Sequence, residues 1–141
     1  MINEALLKTL TVLYVEDNDL VKRMLTKFLR RRVGNIYDKS NGKEGLDVYV
    51  KHQDEIDVVI TGIEMPIMSG KEMIERIFEI DQFQPIIITT ACRDEEHTSD
   101  KVCKNVIKPI NEDDLLESII YCVEKRVSQE ISSNVSLAEH V

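Results

Sequence analysis

Apolar residues along the chain fall into two alternating rhythms. Three short runs have almost no polar interruption: "TVLYV" from Thr11, "VVIT" from Val58 and "PIIIT" from Pro85. Their β-branched composition predicts buried strands. "NIYDK" from Asn35 predicts a short second strand, and Val106-Ile107 a brief fifth. Between these runs apolar positions recur every three or four residues. Leu20, Val21, Met24, Leu25, Phe28 and Leu29 predict one helix, closed by basic residues and Gly34. Leu46, Tyr49 and Val50 predict a second with these side chains inward, opened by Asn41 and Glu44 as a capping box. Met73, Ile74, Ile77 and Phe78 predict a third, after Gly70. The last carries Leu115, Leu116, Ile119, Ile120, Val123 and Val127 on its inner face, with Asn111 and Asp114 at its start.

Strands apolar throughout, alternating with amphipathic helices, predict the α/β class: an open, doubly wound, five-stranded parallel sheet flanked by helices. In such sheets the functional crevice lies beyond the carboxyl ends of the strands. Those ends are Glu16-Asp17, Gly62, Thr89-Thr90-Ala91 and Lys108-Pro109. Two carboxylates, a hydroxyl and an ammonium on one rim suit a hard cation and a phosphoryl group. Oxygen ligands hold Mg²⁺. A lysine and a hydroxyl stabilise phosphoryl oxygens as charge shifts.

The chain's 141 residues suit one domain, residues 1–126, with a helix extension or flexible tail over 127–141. The net charge of −8 disfavours nucleic-acid and anionic-membrane binding. The run Arg30-Arg31-Arg32 reads as a solvated helix end complementing the helix dipole. Cys92, Cys103 and Cys122 have no CxxC spacing, so neither a disulfide nor a zinc site is expected, and a reducing cytoplasm fits. No run is apolar for long enough to span a bilayer, and "MINEALLKTL" lacks the features of a signal peptide.

"VLYVEDN", "DVVITGIEMPIMSG", "IIITTA" and "IKP" together resemble the four signature segments of the response regulator receiver domain, in order, over about residues 10–125. The resemblance implies the CheY-like, flavodoxin-like fold and a place in two-component (phosphorelay) signalling. In that family an Asp at the end of the third strand accepts a phosphoryl group from a histidine kinase, with Mg²⁺ as cofactor. The resemblance puts Glu16 and Asp17 on the metal-binding acidic pair, with the Glu64 backbone carbonyl as a further ligand. It puts Thr90 on the hydroxyl that senses the phosphoryl group and Lys108 on the ammonium that contacts it. Lys108-Pro109 matches a bond that is frequently cis in the family.

Gly62 falls where the family keeps its phosphoacceptor. Glycine has no nucleophile, and its pocket lacks one carboxylate, so Mg²⁺ is expected to bind weakly at best. A glycine at a strand-to-loop turn is also common because it tolerates positive φ. Ser69 replaces the family's usual Asp, and Asn105 its frequent aromatic switch residue. The stretch from Thr90 to Lys108 is shorter than usual by about one helical turn. Within it "RDEEHTSD", Arg93 to Asp100, has no apolar residue, which predicts a short or irregular fourth helix. Lys108 is expected to pair with Asp17 and fill the space of the missing carboxylate.

The resulting expectation is a degenerate, non-enzymatic receiver acting by protein–protein interaction, with a histidine kinase, an output domain or another signalling protein as partner. Two alternatives stay open. One is a phosphoryl-accepting regulator, using Thr61 or Glu64 as substitute, or with Gly62 a variant or engineered replacement of Asp. The other is a purely structural or dimerisation domain, and a homodimer is compatible with each reading.

Overall fold

The computed structural model describes residues 2–91 and 102–139, with side chains through Ile131. The fourth helix expected between Arg93 and Asp100 lies outside the described residues. Five strands form one parallel sheet: β1 (Thr11–Val15), β2 (Asn35–Lys39), β3 (Val58–Thr61), β4 (Ile86–Thr90) and β5 (Lys104–Ile107), in the order β2-β1-β3-β4-β5. Five helices accompany them: α1 (Glu4–Leu7), α2 (Asp19–Arg32), α3 (Gly42–His52), α4 (Gly70–Ile80) and α5 (Glu112–Glu139).

The strand order reverses direction at β1, so its carboxyl end and that of β3 diverge into loops side by side. Val15 is in register with Thr61, which places Glu16 and Gly62 next to each other on the rim. Strand alternation supplies two cores. Val12 and Tyr14 pack on one face with Leu25 and Leu29 of α2 and Leu115 and Ile119 of α5. Leu13 and Val15 pack on the other with Tyr49 of α3 and Met73, Ile74 and Ile77 of α4. Leu13, Ile60 and Ile77 are fully enclosed, each contributing about 2 kcal/mol of transfer free energy.

The caps follow from the sequence. Asn18 accepts from the Val21 amide at 3.0 Å, Asn41 from Glu44 at 2.9 Å and Ser69 from Glu72 at 3.2 Å. The Glu44 carboxylate reaches back to the Ser40 amide at 3.3 Å, one residue earlier than a capping box requires.

Some inward assignments are corrected. Leu20 and Met24 are each 65% exposed, and Val50 and Val127 each 51%. Only one stripe of each helix meets the sheet, so apolar residues at the edge of the predicted face turn to solvent. Cys103, just before β5, and Cys122 on α5 are joined in a disulfide with Cα atoms 5.9 Å apart. This corrects the expectation of unpaired cysteines. α5 lies across the start of β5, and tertiary packing brings together two residues whose spacing gave no signal.

α5 runs on to Glu139. Arg126 ties it to the end of α4 by a 2.7 Å contact with Asp81, and to its own next turn by a 2.8 Å contact with Glu130. Among the described residues no helix is long and apolar enough to cross a membrane.

Candidate functional site

The rim beyond β1, β3, β4 and β5 gathers the expected residues, but with a pairing of its own. Glu16 follows β1 directly and is 2% exposed. Its Oε1 accepts from Lys108 Nζ at 2.8 Å, and its Oε2 from the Asn18 amide at 3.0 Å. Its backbone amide donates to the Lys39 carbonyl at 3.0 Å, which extends the β1–β2 ladder by one residue. Lys108 is held in turn, its amide donating to the Thr90 carbonyl at 2.7 Å, and the Lys108-Pro109 bond is cis. The lysine expected to pair with Asp17 thus pairs with Glu16. Asp17 lies one residue past the end of the ladder and is exposed, whereas Glu16 stays at the buried rim.

The electrostatics follow from this geometry. Burial works against the Glu16 carboxylate, but the hydrogen bond from Lys108, then that from Asn18, outweigh it and hold its carboxyl below the usual carboxylate range. Asp17 is shifted the other way, by desolvation first and then by its hydrogen bond to Glu16 and that neighbour's charge.

Gly62 follows β3, with its amide donating to the Val15 carbonyl at 3.2 Å. No glycine in the described chain has positive φ, so backbone conformation does not require glycine there. A Cβ built on Gly62 meets no atom within 4 Å. Thr61 is fully buried and donates its hydroxyl to the Gly62 carbonyl at 2.8 Å. Glu64 is exposed on the loop two residues beyond Gly62. Further along, Ile67 is 82% exposed with φ 69°, a left-handed conformation that a β-branched residue adopts only under strain. Nothing in the sequence pattern marked that strain. Gly70 closes the loop, its amide donating to the Ile63 carbonyl at 2.7 Å.

The donors present do not suit a resident Mg²⁺. Both oxygens of Glu16 are engaged, one by an ammonium that any cation would have to displace. Gly62 adds no side-chain oxygen. Among the described residues no group of three or more His, Cys, Asp or Glu side chains could hold a metal ion. A site for a hard cation needs several convergent oxygens.

A five-stranded parallel sheet with an acid pair, a lysine and a threonine at its carboxyl rim is the arrangement that the sequence resemblance led one to expect. A family model described as the response regulator receiver domain matches residues 12–120. The chain belongs to this family. It is 32% identical to the hybrid signal transduction histidine kinase I of Dictyostelium discoideum, over 87% of this chain and 8% of that protein. It is 28% identical to the chemotaxis protein CheY of Treponema pallidum, over 77% of this chain and 78% of that one. Its fold matches that in the crystal structure of the CheX-CheY-BeF3-Mg+2 complex from Borrelia burgdorferi, with TM-score 0.73, 26% identity and coverage of 79% and 87% of the two chains. The chain spans only 8% to 32% of the length of several longer relatives.

Proposed function

We propose that this receiver domain works without an acyl phosphate, as a protein-interaction module of a two-component pathway. The observation that carries the reading is Gly62. It occupies the position next to Glu16 where the resemblance puts the phosphoacceptor, and it offers no nucleophile. Neither substitute acceptor is favoured. Thr61 is buried with its hydroxyl committed to the Gly62 carbonyl, and Glu64 is displaced along the loop. Glu16, Asp17, Thr90 and Lys108 are the retained rim of the pocket. The Glu16–Lys108 pair serves there as an internal brace, and Mg²⁺ binds weakly because it competes with Lys108 for Glu16.

The proposed unit is residues 1–126, with the remainder of α5 leading away from it. Its partner is a histidine kinase, an output domain or another signalling protein, and its proposed location is the cytoplasm, a reading that rests on the family and no longer on the cysteines, since Cys103 and Cys122 are joined. State is set by partner contact, since the domain carries no covalent phosphate to report.

The test is incubation with Mg²⁺ and acetyl phosphate, read by intact mass, with Gly62→Asp alongside. A Cβ at position 62 meets no atom within 4 Å, so the substitution begins in open space. The expected result is a phosphoryl adduct on the variant alone. An adduct on the unmodified chain overturns the reading, and peptide mapping then locates the acceptor. If neither chain is modified, the pocket has lost more than its acceptor, and the structural alternative replaces this one.

A further inference from the structure

The Cys103–Cys122 bond lies at the least buried edge of the sheet. β5 is an edge strand whose only buried residue is Val106. Its ladder to β4 runs from Lys104 opposite Ile87 to Ile107 opposite Thr90. The Cys103 amide extends that ladder by one bond, donating to the Ile86 carbonyl at 2.9 Å. Little apolar burial supports the strand, so its covalent tie to α5 matters to how firmly it is held. α5 is anchored independently, by Leu115, Leu116 and Ile119 in the core and by Arg126 on Asp81. The bond joins a weakly held element to a firmly held one.

The bond is also reachable. A cleft of about 280 Å³ is lined by both cysteines, by Gln82 and Phe83 from the loop between α4 and β4, and by Lys125 and Gln129 of α5. Cys122 is 2% exposed, whereas Cys103 is half-buried and is the residue an incoming thiol meets first. Two ammonium groups stand beside the bond. Lys104 follows Cys103, Tyr121 precedes Cys122, and Lys104 and Lys125 lie over the Tyr121 ring at 4.5 and 5.9 Å. Among the described residues no ion pair engages either lysine. Positive charge there favours the approach of an anionic thiolate and stabilises the thiolate that leaves.

We propose that Cys103–Cys122 is a reversible thiol switch, opened by a small anionic thiol entering this cleft, that sets how firmly β5 is held. The thiolate attacks Cys103 Sγ, forming a mixed disulfide and releasing Cys122 as a thiolate. A second thiolate then attacks the sulfur of the bound thiol. It leaves with the first as a low-molecular-weight disulfide and releases Cys103 as a thiolate, and both cysteines take up protons from water. The protein bond gains two electrons, and two thiols lose them. Excess low-molecular-weight disulfide drives the same steps backward. From the preceding reading the inference takes only the cytoplasmic location, where a reachable disulfide reports the state of the thiol pool.

Opening is felt along β5. The strand leads into Lys108, whose amide donates to the Thr90 carbonyl at 2.7 Å and whose ammonium holds Glu16 at 2.8 Å. A strand that opens more often releases this brace more often, so the thiol switch reaches the rim.

The experiment treats the full chain first with oxidised glutathione, then with reduced glutathione at rising concentration. Samples are quenched in denaturant with iodoacetamide, and intact mass counts the free thiols. The chain has three cysteines, so the closed form gains one adduct and the open form three. Opening is expected to be first order in glutathione and insensitive to low urea, whereas a bond exposed only by global unfolding opens faster as urea rises. Lys125→Glu is expected to slow glutathione about threefold or more, and the less charged 2-mercaptoethanol by less. Amide exchange in β5 is expected to rise about tenfold or more on opening, with β1 and β2 unchanged. Cys103→Ser with Cys122→Ser should show the fast β5 exchange and no response to glutathione. Should that variant fail to fold, the unmodified chain opened by glutathione carries the same comparison. One adduct at every glutathione concentration, or three adducts even after oxidised glutathione, overturns the proposal. So does opening that needs urea, or exchange that rises equally across the sheet. A chain that takes up phosphate from acetyl phosphate yet opens as expected keeps this inference and loses the preceding one. A chain that takes up none and whose bond resists glutathione does the reverse.

Discussion

Two glycines bracket the loop that leaves β3, and they are there for opposite reasons. At Gly70 an added Cβ would lie 1.9 Å from the Gly62 carbonyl oxygen, a distance no side chain can occupy. At Gly62 an added Cβ would meet nothing within 4 Å, and the backbone is not left-handed. The fold requires glycine at position 70 and has no such requirement at position 62. Neither backbone conformation nor crowding at Cβ accounts for the missing side chain at the rim. The conformational explanation that the sequence allows for Gly62 does not survive the structure.

The sharpest way to break this comparison is to substitute both glycines with alanine. Gly70→Ala is expected to cost about 3 kcal/mol or more, because backbone must move to admit the methyl. Gly62→Ala is expected to change stability by less than about 1 kcal/mol. Urea denaturation of both variants checks the pair, and similar losses would show that Gly62 is also structurally required.

The next effect concerns the neighbouring strand end, which is filled where Gly62 is open. Lys108→Met removes the partner of a buried carboxylate and is expected to cost about 2–3 kcal/mol near neutral pH. The pH dependence has a definite sign. Glu16 has a depressed carboxyl pKa, so its contribution is present above the ordinary carboxylate range and is lost as pH falls through the folded value. The gap between unmodified chain and variant should shrink as pH falls below the ordinary carboxylate range, because Glu16, once protonated, no longer needs the ammonium. A gap that widens in acid would show that Lys108 acts through some other group.

The smallest expected change lies at Ile67, between the two glycines. Its φ of 69° suits asparagine better than a β-branched side chain, and its 82% exposure means little packing is lost. Ile67→Asn should raise stability by about 1 kcal/mol, seen as a higher denaturation midpoint. No gain would mean that the loop relaxes around isoleucine without strain.

The sheet was legible because its strands are apolar without interruption, a pattern that only burial on both faces explains. The rim was legible for the same reason, since each strand end fixes where its next residue falls. What escaped depended on position in three dimensions. The partner of Lys108 is decided by the β1–β2 ladder running one residue past the strand. The Cys103–Cys122 bond joins segments that only packing makes adjacent. The four-residue helix α1 is too short to show a period, although Asn3 supplies its cap at 3.0 Å.

The clamp at Arg126 gives α5 a mechanical character. Beyond it the helix advances about 20 Å to Glu139, at 1.5 Å per residue. Asp81 acts as the fulcrum of this arm, since it caps the end of α4 and grips α5 at 2.7 Å. A tilt of about 10° there would sweep the far end through about 3 Å, roughly the length of a hydrogen bond. Slight repacking of α4 beneath the loop from Gly62 to Gly70 would thus arrive, magnified, at the tip of the arm.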